Sequence, residues 1–256
     1  FQASDELVWG ACSTPLLVDG KLVVNPGGPQ ASLVAIDATT GEVVWKTPGA
    51  PAAFSSFVVL EIAGRRQVAG FDKTSFGGWD VATGERLWTL KPRTPGDFNV
   101  PTPIVLGERL VLTSENNGVR LVGLDPHGQP DELAHYGACA PDMHSPVRAG
   151  DRLFAVHKNK IHCLSANDLR PLWSASDRSL SGHVSLVASG DRVLAQTQAG
   201  ELLLIDANAD RLTILSRLAM FEEEVSLYAH PALVGDRLYV RGPGQLFCLS
   251  LAVGNS

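Results

Sequence analysis

The stretch Ala35-Ile36-Asp37-Ala38-Thr39-Thr40-Gly41-Glu42-Val43-Val44-Trp45 reads as a strand, a tight turn and a second strand ending in an indole. A second copy, Gly78-Trp79-Asp80-Val81-Ala82-Thr83-Gly84-Glu85-Arg86-Leu87-Trp88, repeats the spacing from Asp to Gly to Trp. An Asp followed by Thr and Gly suits a turn in which side-chain oxygens accept from backbone N–H groups and glycine takes a positive φ. Weaker copies follow both, so the chain is built from repeats.

Working outward, a hairpin turn precedes each copy. Glycine stands beside a polar residue at Gly20, Gly64, Gly107, Gly150, Gly190 and Gly235, at intervals of 44, 43, 43, 40 and 45 residues. Such pairs suit two-residue turns that need a positive φ. A period of ~40–50 with short strands marks propeller blades rather than stacked helices. In the first repeat four strands are expected, at 15–18, 21–25, 32–37 and 42–45. Runs such as Leu22-Val23-Val24 are continuous rather than alternating, which fits sheets covered on both faces. The expected fold is an all-β propeller of four-stranded antiparallel blades, in one domain over 1–256. Six repeats fall at about 14–46, 55–90, 101–137, 145–174, 184–218 and 230–254.

The sixth repeat offers strands A to C only. Asp5-Glu6-Leu7-Val8-Trp9 resembles a lone strand D. Two readings stay open: 5–9 closes the last blade of a six-bladed ring, or it ends a blade that lies upstream in an eight-bladed one.

Trp45, Trp88 and Trp173 close three repeats, with Tyr136 and Ile214 in the corresponding place of the third and fifth. A flat ring at the end of an outer strand buries its face against the next blade. Ala35, Gly78, Gly123 and Cys163 are small enough to leave room for it, and Gly41 and Gly84 close the turns. These residues are assigned to docking between blades, not to ligand binding.

The series Pro15-Leu16-Leu17-Val18-Asp19-Gly20-Lys21-Leu22, followed by Ala35, Asp37, Thr40, Gly41 and Trp45 at fixed spacing, resembles the quinoprotein-type repeat with its tryptophan-docking motif. That repeat builds the PQQ-dependent alcohol dehydrogenases. It also builds the non-enzymatic lipoprotein B subunit of the outer-membrane β-barrel assembly machinery. The resemblance covers essentially the whole chain and implies an extracytoplasmic location, in the periplasm or cell envelope. The dehydrogenases hold PQQ with adjacent cysteines, whereas Cys12, Cys139, Cys163 and Cys248 are far apart. Cys163 and Cys248 occupy matching strand positions and are expected to be buried.

Composition narrows the function. With 256 residues and a net charge of −6, no basic run is present for nucleic acid. No apolar stretch approaches the ~20 residues of a membrane span. There is no GxSxG, GxxxxGK, HExxH or EF-hand motif, and no catalytic residue or metal-ligand set is assigned. His157 and His162 read as surface histidines. Candidate binding residues collect on the loop face, where B–C and D–A loops gather: Lys73, Asn99, Asn116, Asn117, Arg120, Asp142, His144, His183 and His230. Each of the three histidines begins an innermost strand. Either they converge on a metal or anion, or each caps its own loop. Phe54, Phe98 and Phe221 fall in loops expected to be solvated, where an exposed aromatic suits a protein contact or else folds back over the channel mouth. The expected function is a non-catalytic scaffold that binds another protein or a small ligand, with no cofactor. The alternative is a PQQ- or metal-dependent enzyme or sensor with its site at the mouth of the central channel.

Overall fold

The computed structural model describes residues 8–62, 64–125 and 127–251. The expected strand residues 5–7, the turn residue Ala63, Pro126 and the tail 252–254 lie outside the described residues; Val8 and Trp9 form a turn. The chain divides into two compact units, Phe1–Asp142 and Met143–Ser256, with three blades in each.

Every blade is an antiparallel meander in which consecutive strands pair. Blade 1 comprises Leu16–Val18, Lys21–Val24, Leu33–Asp37 and Val43–Thr47. Five sheets have four strands; blade 6, Ala232–Val234, Arg237–Gly242 and Gln245–Ser250, has three among the described residues. The single helical turn described is Arg178–Leu180.

Local chemistry explains the hairpins. The six A–B turn glycines all have φ between 56° and 74°. In blade 1 both Asp19 and Gly20 are left-handed, at 48° and 70°, so Gly20 is the second turn residue of a type I′ hairpin. Gly107, Gly150, Gly190 and Gly235 come first in theirs, the type II′ pattern. The C–D turns are held by their Asp. Asp37 Oδ1 accepts from the Thr39 hydroxyl and from the N–H groups of Thr39 and Thr40. The hydroxyl bond first, then the two N–H bonds, hold this carboxyl down to about 2. Asp80 repeats the arrangement with Ala82 and Thr83.

At the level of the tryptophan, paired residues run in one row across each sheet. In blade 1 the row is Leu16, Val23, Ala35, Trp45. In blade 2 it is Val58, Ala69, Gly78, Trp88, and in blade 4 Val147, Phe154, Cys163, Trp173. The Trp45 indole N–H donates to Val81 O in the turn of the following blade at 3.1 Å, and Trp173 does the same to Ala209 O at 3.0 Å. Trp88 differs: its N–H goes to Gln67 Oε1 of its own blade at 2.7 Å, while the ring faces Gly78 and Phe76.

Two expected equivalences are corrected. The blade 5 turn closes from Asp206 N to Thr213 O, two residues wider than the Asp37 N to Glu42 O closure of blade 1. Ile214 therefore pairs with Ile205, and Ser216, paired with Leu204, takes the tryptophan's place. In blade 3 the bulge lies between Leu121 and Val122, and Ala134 takes that place; Tyr136 pairs with Val119 further along.

Each unit has its own core. Blades 4 and 5 meet in a cluster that includes Phe154, Ile161, Cys163, Leu186, Val193 and Leu203, with Trp173 against it. Blades 1 and 2 meet around Val23, Leu33, Ala35, Trp45, Val68 and Trp79. All four cysteines are free. Cys139 and Cys163 are buried, but Cys12 and Cys248 are exposed, the latter because no strand flanks Gln245–Ser250 on that edge among the described residues.

His162 is a further correction. It lies within Lys160–Ser165 at 5% exposure. Burial first, then the charges of Lys160 and His157, pull its imidazole down to about 4. In the unfolded chain it titrates near ~6.5. The neutral ring's contribution is complete above that value and is lost as pH falls through about 4. Acidification from pH 7 to 4 should remove about 2–3 kcal/mol through this residue. Thermal unfolding of His162→Asn across that window should show a shallower fall in Tm than the wild-type protein.

Candidate functional site: the loop face

In the first unit the loop face carries an aromatic cluster. Trp9 meets Phe54 at 5.1 Å and Phe98 at 4.9 Å between ring centroids, and Phe54 meets Phe98 at 6.2 Å. Trp9 is 59% exposed and Phe98 52% exposed. Phe54 comes from the loop after Val43–Thr47, and Phe98 from the loop after Arg86–Leu90.

These loops are stapled. Asp97, buried, accepts from Asn116 N and Nδ2 through one oxygen and from Asn117 Nδ2 through the other. Asn117 Oδ1 accepts from Thr94 N at 2.9 Å, and its Nδ2 also donates to Thr94 O. Phe98 N donates to Glu115 Oε1 at 2.6 Å. Asn99, left-handed at φ 56°, accepts from Ser55 N through its carbonyl and donates Nδ2 to Asp72 O. Asp72 is tied by Thr74, Ser75 and an ion pair with Arg86 at 2.8 Å. The phenylalanine loops are thus bonded to each other and to the strands below.

Asn99, Asn116 and Asn117 accordingly bond together the loops that carry the aromatics. Lys73 and Asp142 are exposed on the same unit. Arg120 is buried at 2% exposure, with Glu132 at 3.9 Å; its Nε and Nη1 have no hydrogen-bond partner among the described residues, and burial lowers its pKa. Arg93 covers Glu132 from outside and approaches His135. Glu115 is pushed above the usual carboxylate range by burial, with Asp97 and Asp142 adding to the shift against the Phe98 N–H. The cluster therefore has an acidic border.

In the second unit two of the three histidines meet. His144 and His183 stack at 5.6 Å, and Tyr228 lies 5.7 Å from His183. Gln198 accepts from His183 N and donates to Ser226 Oγ and Tyr228 Oη. The two ring nitrogens of His230 face Pro231 O and Leu186 O. No group of three or more His, Cys, Asp or Glu among the described residues is placed to hold a metal ion. A cavity of about 250 Å³ lies beside Tyr228, with Ser226, Arg241 and Gly242 in its wall. Phe221 is not solvated as expected: it covers Gly200 and Gly242 and stands edge-on to Phe247 at 5.1 Å.

Sequence reasoning singled out Phe54 and Phe98 as loop aromatics. It missed their partner Trp9, read as strand, and the staple Asp97. The pattern Asp97-x-Asn99 facing Asn116-Asn117 was the available signal, but only folding shows that these residues meet.

Meander sheets of four strands with an indole row make this chain a PQQ-like β-propeller. Residues 3–126 and 137–256 match the family model described as outer membrane protein assembly factor BamB, and the chain belongs to that family. No curated protein matches it in sequence. Among solved structures it is similar to BamB from Moraxella catarrhalis, with a TM-score of 0.66 and 17% identity over 93% of this chain and 71% of that one. It is also similar to the Cps50 (Swd1) β-propeller domain of Myceliophteria thermophila, with a TM-score of 0.64 and 17% identity over 94% and 84%. The computationally designed Ika8 protein gives 0.55 at 12% identity over 93% and 83%. No helix among the described residues is long and apolar enough to cross a membrane.

Proposed function

We propose that this protein is a non-catalytic propeller scaffold of the cell envelope that holds another protein through the loop face of its first three blades. The observation that carries this reading is the cluster of Trp9, Phe54 and Phe98. Half-exposed aromatics on hydrogen-bonded loops offer apolar area at low ordering cost, which is how interface hot spots are built. Glu115 and the exposed Asp142 beside the cluster favour a partner segment with basic residues beside its apolar ones. Membership of a family named for an outer-membrane assembly factor supports both the envelope location and a protein partner. This reading assigns the chain no PQQ and no metal. The cavity beside Tyr228 and Arg241 favours a second reading, a small anionic ligand in the second unit.

The test uses a photo-crosslinking residue at position 98 in the native host, with position 42 on the Thr-Gly turn face as control. A partner should be trapped from 98 and not from 42. With that partner purified, Phe98→Ala should weaken binding by about 2 kcal/mol, roughly 30-fold, at unchanged Tm. Equal trapping from both positions, or unchanged affinity, would remove the aromatic cluster from the interface.

A further inference from the structure

The tryptophan row of blade 5 is Val187, Leu194, Leu204, Ser216. Its other face is well packed: Val193, Ala195, Leu203 and Ile205 lie in the cluster with blade 4, which Trp173 completes. The row itself faces a cleft of about 480 Å³, open to solvent on one side and lined on the other by Leu233 and Leu249 of blade 6. In blades 1 and 4 the same level is filled by an indole from the outer strand that reaches the next blade. In blade 5 the wider C–D turn puts a serine there. Leu204 is larger than the Ala35 or Cys163 beside those indoles, yet it does not fill the space.

We propose that the space between blades 5 and 6 is a binding site for a flat, apolar aromatic small molecule, lying where the indoles of blades 1 and 4 lie. The volume falls within the range of ligand pockets, ~300–1,000 Å³. Its walls are mainly valine and leucine side chains, Val187, Leu194, Leu202, Leu204, Leu233 and Leu249 among them, and walls of that kind take up aromatic rings. The choice of an aromatic occupant rests on this chain's own repeats, which solve the same packing problem with an indole. The polar groups of the wall, Ser189, Ser216 and Arg192, leave room for one polar substituent on the ligand. This site is separate from the loop face and does not depend on its role in protein binding.

Calorimetric titration of the full chain with indole and with naphthalene should show saturable binding at one site. Ser216→Trp should fill the space from within, weakening indole binding at least about tenfold and raising Tm by ~2–4 °C. If Ser216→Trp does not unfold cooperatively, Ser216→Phe serves as the smaller filling variant, with the same expected loss. Absence of saturable binding by the wild-type chain would overturn the proposal, as would indole affinity unchanged in a folded Ser216→Trp or Ser216→Phe protein. Binding of a tryptophan-containing peptide without binding of free indole or naphthalene would also overturn it, in favour of a protein partner's side chain.

Discussion

Replacing Trp45 by alanine should lower the unfolding free energy by ~3–5 kcal/mol. The ring is buried between two blades, among Val18, Val23, Leu33, Val68 and Trp79. It covers Gly84, whose own position has no side chain to fill the gap. Removing it opens a void that two sheets cannot close without moving their hydrogen-bonded turns. It also leaves Val81 O without its indole donor at 3.1 Å, a further penalty of ~1–3 kcal/mol if that carbonyl stays buried. Trp45→Phe separates the parts, since it keeps most of the ring and loses the N–H. Denaturant unfolding of the wild type and both variants measures them. A loss below about 1 kcal/mol for Trp45→Ala would mean that the blades are held together elsewhere.

Gly84→Ala should be nearly as damaging, by ~2–5 kcal/mol, for two separable reasons. Gly84 has φ 73°, and its added Cβ would sit 2.5 Å from the Trp45 ring. Gly41 is the control: its φ is 76°, but nothing lies within 4 Å of an added Cβ. Gly41→Ala should therefore cost only the backbone part, ~1–2 kcal/mol. In a Trp45→Ala background the clash disappears, so Gly84→Ala should cost no more there than Gly41→Ala. This is a strong departure from additivity, measurable as a double-mutant cycle. Additive costs would show that Trp45 and Gly84 do not share one packing site.

The same residues show how far reading alone can go. Turn glycines at a steady interval, and Asp, Gly and Trp at fixed spacing, are local requirements on φ and on hydrogen bonding, so the four strands of the first repeat could be placed from the sequence within two residues. Tyr136 and Ile214 could not, because counting from the turn Asp assumes turns of one length. The Asp206–Thr213 turn is two residues wider, and a shift of register decides which side chain meets the next blade. His162 read as a surface residue because alternation does not say which faces a blade covers. Cys248 read as buried because it holds the same strand position as Cys163, where a small buried residue is expected, yet the edge beside it carries no strand among the described residues.

The candidate site was less legible still. Asn99, Asn116, Asn117, His144, His183 and His230 were selected as polar residues on loops, a criterion that does not separate a residue that binds from one that holds a loop. In the structure the asparagines bond to Asp97, Thr94, Ser55 and Asp72, and the ring nitrogens of His230 face two carbonyls.

By itself the sequence determined the all-β class, the repeat, the turn chemistry and the role of Trp45 and Trp173 between blades, because each rests on contacts within a few residues or on a spacing that repeats. Only the tertiary structure decided that Trp9, Phe54 and Phe98 meet, that Trp88 bonds within its own blade, and that Ser216 leaves a cleft where the stretch ending in Trp45 has a ring. Those outcomes depend on register and on loops more than 40 residues apart in the chain, and no local preference encodes them.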